Sequence, residues 1–198
     1  MMVKVCGITN RDDALAAVDA GVSALGFNFY AKSPRYISRE IAAAIANGLP
    51  AHVWRVGVFV NEPPEQIAIT AQRAALDVAQ LHGDENPAAY PAGIRVWKAM
   101  RVSSATVDFD VPAEAVLLDG PAGEVYGGAG KTFDWSLAAI GGRRIIVSGG
   151  LDASNVTSAI RLAKPWGVDA CSRIESSPGR KDHQKMRDFI RAALECQT

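Results

Sequence analysis

Cysteine is scarce in this sequence, and what little there is lies dispersed. Cys6, Cys171 and Cys196 are the three thiols in 198 residues, with no CxxC pair. An odd, scattered set argues against a disulfide framework and against a structural zinc site. It fits a reducing cytoplasm, with each thiol by default a small buried hydrophobe. Histidine is just as sparse, three in all, too few and too dispersed for a histidine–carboxylate metal cluster. Charge of one sign is missing too: 21 basic residues meet 21 acidic ones. No electrostatic footprint therefore points to nucleic acid or an anionic membrane. No apolar run approaches the roughly 20 residues that span a bilayer. Strand pattern begins at Val3, which leaves no room for a signal peptide. No low-complexity linker divides the chain, so one cytoplasmic domain over residues 1–198 is expected.

What the sequence does contain is alternation. Eight stretches carry strand pattern: VKVCG, SALGFNF, VWRVGVFV, LDVAQLHG, IRVWKAM, AVLLDG, RRIIVSGG and GVDACS. Helical pattern fills most of the gaps. RDDALAAVDA follows Asn10 as N-cap, with Ala14, Leu15 and Val18 on one face. SREIAAAIANG is capped by Ser38 and closed by Gly48. PPEQIA opens a third helix on proline. Val156, Ala159, Ile160 and Ala163 mark a fourth, and Met186, Phe189, Ile190, Ala193 and Leu194 a last one. The connections after strands four and five are short and proline-broken, so helices there should be weak or missing. Strand–helix alternation implies parallel pairing through right-handed crossovers. Eight such units close a (β/α)₈ TIM barrel, and the length sits near that fold's lower bound of about 200 residues. A doubly wound open sheet is the competing architecture.

In a closed barrel, side chains alternate inside and outside, and active sites lie at the C-terminal strand ends. Val3 and Val5 then face the helices, leaving Lys4 and Cys6 inside with Cys6 at the rim. In AVLLDG, Val116 and Leu118 face out while Leu117 and Asp119 face in. A thiol and a carboxylate across one mouth suit a base and an acid. The competing reading is a core cysteine and a loop-capping aspartate. Gln80 and His82 share the inner face of strand four with Val78, and Asp169 shares that of strand eight with Cys171. The loops after strands seven and eight, SGGLDASN and CSRIESSPG, occupy the place where barrels often bind phosphate. Gly149 and Gly150 allow close backbone approach there. YGGAGKTFDW also looks like a phosphate loop, but Val125 stands where GxxxxGK[ST] needs its first glycine. A lid bearing Gly128 and Gly130 is the better reading, with a structural turn as the alternative.

Together, VKVCGIT, GFNFYAKSPRYIS, VGVFVNEP, AQLHGDE, LLD, YGGAGKTFDW, VSGGLDASNV and ESSPGRKDH resemble the phosphoribosylanthranilate isomerase family of tryptophan biosynthesis. They run in the family's order over nearly the whole chain. The resemblance implies a (β/α)₈ barrel without metal or organic cofactor, as monomer or homodimer, acting on a small phosphorylated substrate, N-(5-phosphoribosyl)anthranilate. It places the general base on Cys6, the general acid on Asp119, and an arginine for the anthranilate carboxylate on Arg35. A base and an acid at neutral pH require the site to lower the thiol's pKa and raise the carboxyl's; Lys4, two residues before Cys6, is positioned to do the first. Gln80, His82 and Asp169 join them as expected pocket residues, with a satisfied core histidine as the alternative for His82, and Gly149, Gly150 and Ser172 are expected to hold phosphate. After strand eight the chain departs from the family's Asp-Val-Ser-Ser-Gly-Val-Glu: Cys171 replaces a serine and Arg173 the glycine. Arg173 should be strained if its φ is positive, and is expected to take over part of the phosphate binding. Competing functions are another phosphosugar barrel enzyme, indole-glycerol-phosphate synthase-like or a bifunctional aminoaldose isomerase, and a non-catalytic barrel.

Overall fold

The computed structural model describes residues 1–90, 93–102, 110–120 and 132–196. Eight parallel strands close in chain order: β1 (Met2–Cys6), β2 (Ala24–Asn28), β3 (Trp54–Phe59), β4 (Val78–Leu81), β5 (Arg95–Arg101), β6 (Ala115–Asp119), β7 (Ile145–Val147) and β8 (Gly167–Ala170). β1 pairs with β2 on one side and β8 on the other, so the sheet has no edge and the open doubly wound alternative falls. Among the described residues, five helices cover the outside: α1 (Arg11–Asp19), α2 (Arg39–Ala46), α3 (Pro64–Arg73), α4 (Val156–Ala163) and α5 (His183–Glu195). Among the described residues, β4 is followed by a single 3₁₀ turn, Pro87–Ala89, as its prolines and short connection predict, and β6 by another, Trp135–Ala138. The span after β5, residues 103–109, lies outside the described residues. One feature was not foreseen: a hairpin of β9 (Glu175–Ser177) and β10 (Arg180–Lys181) follows β8.

Capping follows the sequence. The Asn10 side chain accepts from the Asp13 N–H at 2.9 Å, and Ser38 from Ile41 at 3.3 Å. The α1 face is a correction: Asp13, Ala14 and Ala17 are buried, while Leu15 is exposed. Two alanines one turn apart let α1 pack closely, and Asp13 is buried because it bonds outward. Its carboxylate accepts from the Lys181 backbone N–H and meets His183 Nε2, both at 2.8 Å. This ties the first helix to the end of the hairpin and the start of α5.

The apolar core has two layers. Outside the barrel, Val3, Val5, Val116, Leu118, Val147 and Val168 pack with α1, α4 and α5. Inside, the N-terminal end is filled by Met2, Ala24, Val56, Val78, Leu117 and Ile146 around fully buried Trp97, with Trp54 and Trp166 packed against it. The Trp97 and Trp166 rings meet edge to face, 5.8 Å between centroids. Above this plug the interior turns polar: Lys4 on β1 bonds Asp169 on β8 at 3.0 Å, both buried. Everything nearer the mouth is the site.

The Lys4–Asp169 pair should be costly to break. Burial pushes Asp169 up to about 7, against the pull of the Lys4 ammonium. The native state then holds a proton that the unfolded chain releases. This group's contribution to stability therefore grows as pH falls from about 7 toward the ordinary 3.8. Lys4→Met should cost about 3–5 kcal/mol at pH 8, where Asp169 must either stay charged without a partner or take up a proton from dilute supply. The penalty should shrink by pH 5, where the carboxyl is neutral. Urea unfolding at the two pH values measures it; an equal penalty at both would contradict the buried-charge account.

Candidate active site

The strand ends deliver the predicted residues to one cavity. Cys6 from β1, Asp119 from β6 and Asp169 from β8 line it together with Gln80 and His82 from β4. Arg35, on the loop after β2, and Cys171 complete the wall. The inside–outside alternation read from VKVCG and AVLLDG thus places Cys6 and Asp119 as expected, from opposite sides of the barrel.

Asp119 is nearly buried and accepts from the Gly120 N–H at 3.0 Å. His82 Nε2 stands 3.6 Å from Asp119 Oδ2, too far for a hydrogen bond. The Gln80 amide nitrogen lies 3.2 Å from His82 Nδ1. An amide nitrogen only donates, so Nδ1 accepts and the neutral ring carries its proton on Nε2. Among the described residues, His82 Nε2 and Gln80 Oε1 are buried without a partner. Buried polar atoms without partners are rare in folded proteins; here two line one cavity, one a donor and one an acceptor.

Cys6 departs from the expectation that the site lowers its pKa. Its thiol is pushed well above the ordinary value by the hydrogen bond with Cys171 and by burial; the Lys4 and Lys181 cations pull the other way and lose. The Lys4 effect is present but outweighed. Lys4 itself is also the interior half of an ion pair with Asp169.

Arg35 does not wait free for a ligand. Its Nε and Nη2 grip the Glu175 carboxylate at 2.9 and 2.8 Å. Glu175 also receives Lys181 Nζ at 2.9 Å, and the Lys181 ammonium is fully buried. Burial opposes it, but Arg35 and Lys181 together hold the Glu175 carboxyl below its usual range. Glu175 and Lys181 were not singled out from the sequence. The signal that could have found them was ESSPGRKDH, an acid and two bases flanking a Pro-Gly turn.

A second cavity adjoins the first, lined by Gly149, Gly150, Ser172 and Arg173 and sharing Asp119 and Asp169. Gly149 and Gly150 have φ of +83° and +64°, a region where a side chain is strained. Arg173 does not share that strain: the single 3₁₀ turn Ser172–Ile174 keeps its φ out of the positive range. Its Nε bonds Asp152 Oδ2 at 2.6 Å on a half-exposed side chain, so much of its charge is already answered on the loop after β7. Gly128 and Gly130 lie outside the described residues.

Comparison with known proteins decides the family. The family described as N-(5'-phosphoribosyl)anthranilate isomerase matches residues 3–192. The chain belongs to this family. A relative from Solibacter usitatus, an N-(5'-phosphoribosyl)anthranilate isomerase, is 62% identical over 98% of this chain and 97% of its own. The crystal structure of phosphoribosyl anthranilate isomerase from Thermus thermophilus superposes with a TM-score of 0.91 at 37% identity, covering 98% of this chain and 99% of that one. A family structure in complex with reduced 1-(o-carboxyphenylamino)-1-deoxyribulose 5-phosphate gives a TM-score of 0.85 at 40% identity, covering 98% and 99%. Family membership rests on the whole chain, and the cavity described above sits at the family barrel's C-terminal end.

Glu175→Gln should test the cation network directly. The substitution leaves the Arg35 and Lys181 charges facing each other with no anion between them. A buried charge losing its partner costs about 3–5 kcal/mol; Arg35 is partly solvated, so the lower end is expected. The wild-type contribution is present above the ordinary glutamate value of 4.5 and is lost as pH falls through the lowered native value. Thermal melts of wild type and Glu175→Gln at pH 7 and pH 3 should therefore converge at the acid end.

Proposed function

We propose that the chain converts N-(5-phosphoribosyl)anthranilate to 1-(2-carboxyphenylamino)-1-deoxyribulose 5-phosphate, an Amadori rearrangement of an aminoaldose to an aminoketose. The observation that carries this beyond family membership is one cavity holding a thiol and a carboxylate on opposite sides, contiguous with a glycine-lined cavity at the β7 and β8 loops. Asp119 gives its proton to the furanose ring oxygen, and the ring opens to a protonated Schiff base. Cys6, as thiolate, removes the proton from the carbon next to the former anomeric centre and leaves an enolamine. The enol oxygen then loses its proton and the former anomeric carbon gains one. Both residues return to their starting states, and atoms balance without an external reductant.

The remaining residues hold the substrate. The unpartnered His82 Nε2–H and Gln80 Oε1 offer a donor and an acceptor to the sugar hydroxyls. Arg35 keeps part of its guanidinium fork for the anthranilate carboxylate, while Glu175 fixes the rest. Backbone around Gly149, Gly150 and Ser172 receives the phosphate, with Arg173 at its edge. The Lys4–Asp169 pair forms the floor. The ligand is a small phosphorylated molecule and the protein works in the cytoplasm; none of its helices among the described residues is long and apolar enough to cross a membrane.

Turnover of freshly made phosphoribosylanthranilate, followed by its fluorescence, tests the reading; folded protein with no turnover would sink it. Cys6→Ser and Asp119→Asn should each lower kcat by on the order of 10² to 10⁴, the usual scale of general acid–base catalysis. Substrate binding should survive. A Cys6→Ser variant keeping more than about a tenth of the rate would mean another base.

Arg173→Ala should raise KM and leave kcat nearly unchanged, because phosphate is held alike in ground and transition states. Since Asp152 already answers the guanidinium, the rise should be modest, about threefold or less, a contribution below 1 kcal/mol as for exposed ion pairs. Asp152→Asn should lower KM by freeing the guanidinium. Steady-state kinetics on the two variants decides; a lower KM in Arg173→Ala would make the arginine an obstruction.

A further inference from the structure

We propose that Cys171 is the proton partner of Cys6: the two thiols share one proton, and Cys171 sets the pH at which Cys6 becomes a base. The proposal deepens the isomerase reading and rests on it for its catalytic meaning.

Placement comes from the closure of the barrel. β1 and β8 pair in register, Lys4 with Asp169 and Val5 with Ala170. The next residues in line are Cys6 and Cys171. Lys4 and Asp169 meet inside the barrel, so two residues further on the same alternation aims both thiols inward. Both line the same cavity. Cys171 Sγ lies over the backbone just past Cys6: a Cβ at Gly7 would stand 3.1 Å from that sulfur. Neighbouring strands run about 4.8 Å apart, so Cys6 and Cys171 stand on adjacent strands at one level of the mouth, with Cys6 Sγ also lying against Gly26 of β2, 2.8 Å from where a Cβ there would stand.

The charges around the pair are unequal. At Cys6 stands Lys4, which is shared with Asp169. Lys181 Nζ lies 4.0 Å from Cys171 Sγ and 3.2 Å from its carbonyl oxygen. Arg35 also flanks this sulfur, its Cδ 2.8 Å from the same Cβ position on Gly7. Glu175 is the one carboxylate bonded to both cations. Two positive charges against one negative leave an excess beside Cys171. Across the mouth, Asp119 and His82 face the pair from β6 and β4. An anion is therefore better placed on Cys171 than on Cys6.

Titration directions follow that asymmetry. The hydrogen bond with Cys6, helped by Lys181 and Arg35, draws Cys171 down to about 7 against the effect of burial. The same hydrogen bond and burial push Cys6 up. The first proton thus leaves the pair, not either residue alone, and the resting anion sits on Cys171. The competent form arises when the Cys6 S–H passes its proton to the Cys171 sulfur, giving Cys6 thiolate and Cys171 thiol. No bond to carbon changes and no redox step is involved. Cys171 touches the reaction only through Cys6, so it is a positioning residue.

The test is a pair of pH profiles on wild type, Cys171→Ala and Cys171→Ser. One is residue-resolved alkylation of the free enzyme by iodoacetamide, read by mass spectrometry. The other is kcat/KM for phosphoribosylanthranilate. In wild type, thiol reactivity should begin near pH 7, mostly at Cys171, and the acid limb of kcat/KM should have the same midpoint. In both variants that limb should move up by about one pH unit or more, the scale that marks a coupled pair. Serine keeps the shape and a hydrogen bond but carries no anion at this pH, so it should behave like alanine. A limb that stays in place in folded Cys171→Ala overturns the proposal. So does a Cys171→Ser variant with the wild-type limb, since Cys171 would then act by shape alone. Alkylation needs no substrate: coupled thiols without turnover would sink the isomerase reading and leave the thiol pair standing.

Discussion

The seam where β1 meets β8 carries this protein. It is the last pairing needed to close the barrel, and on its inner side Lys4 and Asp169 form a buried ion pair. Two charges without water are tolerable only in mutual contact. The pair therefore demands one register between the first strand and the last, because a slip of one residue in either strand would turn its charged side chain to the wrong face and leave the other unpaired. That register aims Cys6 and Cys171 into one mouth and brings the hairpin with Glu175 and Lys181 alongside.

Polar groups at the mouth form a graded series. The apolar plug around Trp97 gives way to the Lys4–Asp169 floor, then to Cys6, Asp119 and His82, and finally to glycine backbone at the β7 and β8 loops. Catalytic and structural work overlap in this series. Arg35 is fixed by Glu175, and Glu175 is itself held by Lys181. The first helix joins through Asp13, which accepts from the Lys181 backbone. A substitution at any of these residues should therefore affect both stability and geometry.

Much of this was legible in the sequence. Strand–helix alternation pointed to the barrel, and the period-two pattern of VKVCG and AVLLDG assigned Cys6 and Asp119 to the inner face, because the pleat leaves no other choice once one face is apolar. The motifs pointed to the family. Local chemistry was read well where it depends on near neighbours, as in the Asn10 and Ser38 caps and the proline-shortened connections after β4. The α1 face was misjudged because a helix of alanines and aspartates has no strong apolar stripe, and a distant backbone N–H decided which side is buried.

By itself, then, the sequence determined the architecture and which residues face the mouth; these follow from periodicities that any short stretch displays. Only the tertiary structure decided how the charges are shared. Arg35 finds Glu175 across 140 residues of chain, and Lys4 finds Asp169 across 165. Arg173 finds Asp152 on the loop after β7, across 21 residues of chain. The Cys6 thiol is pushed up rather than down because Cys171 lies beside it. Protonation depends on distance in space and on burial, and neither is written in local order along the chain.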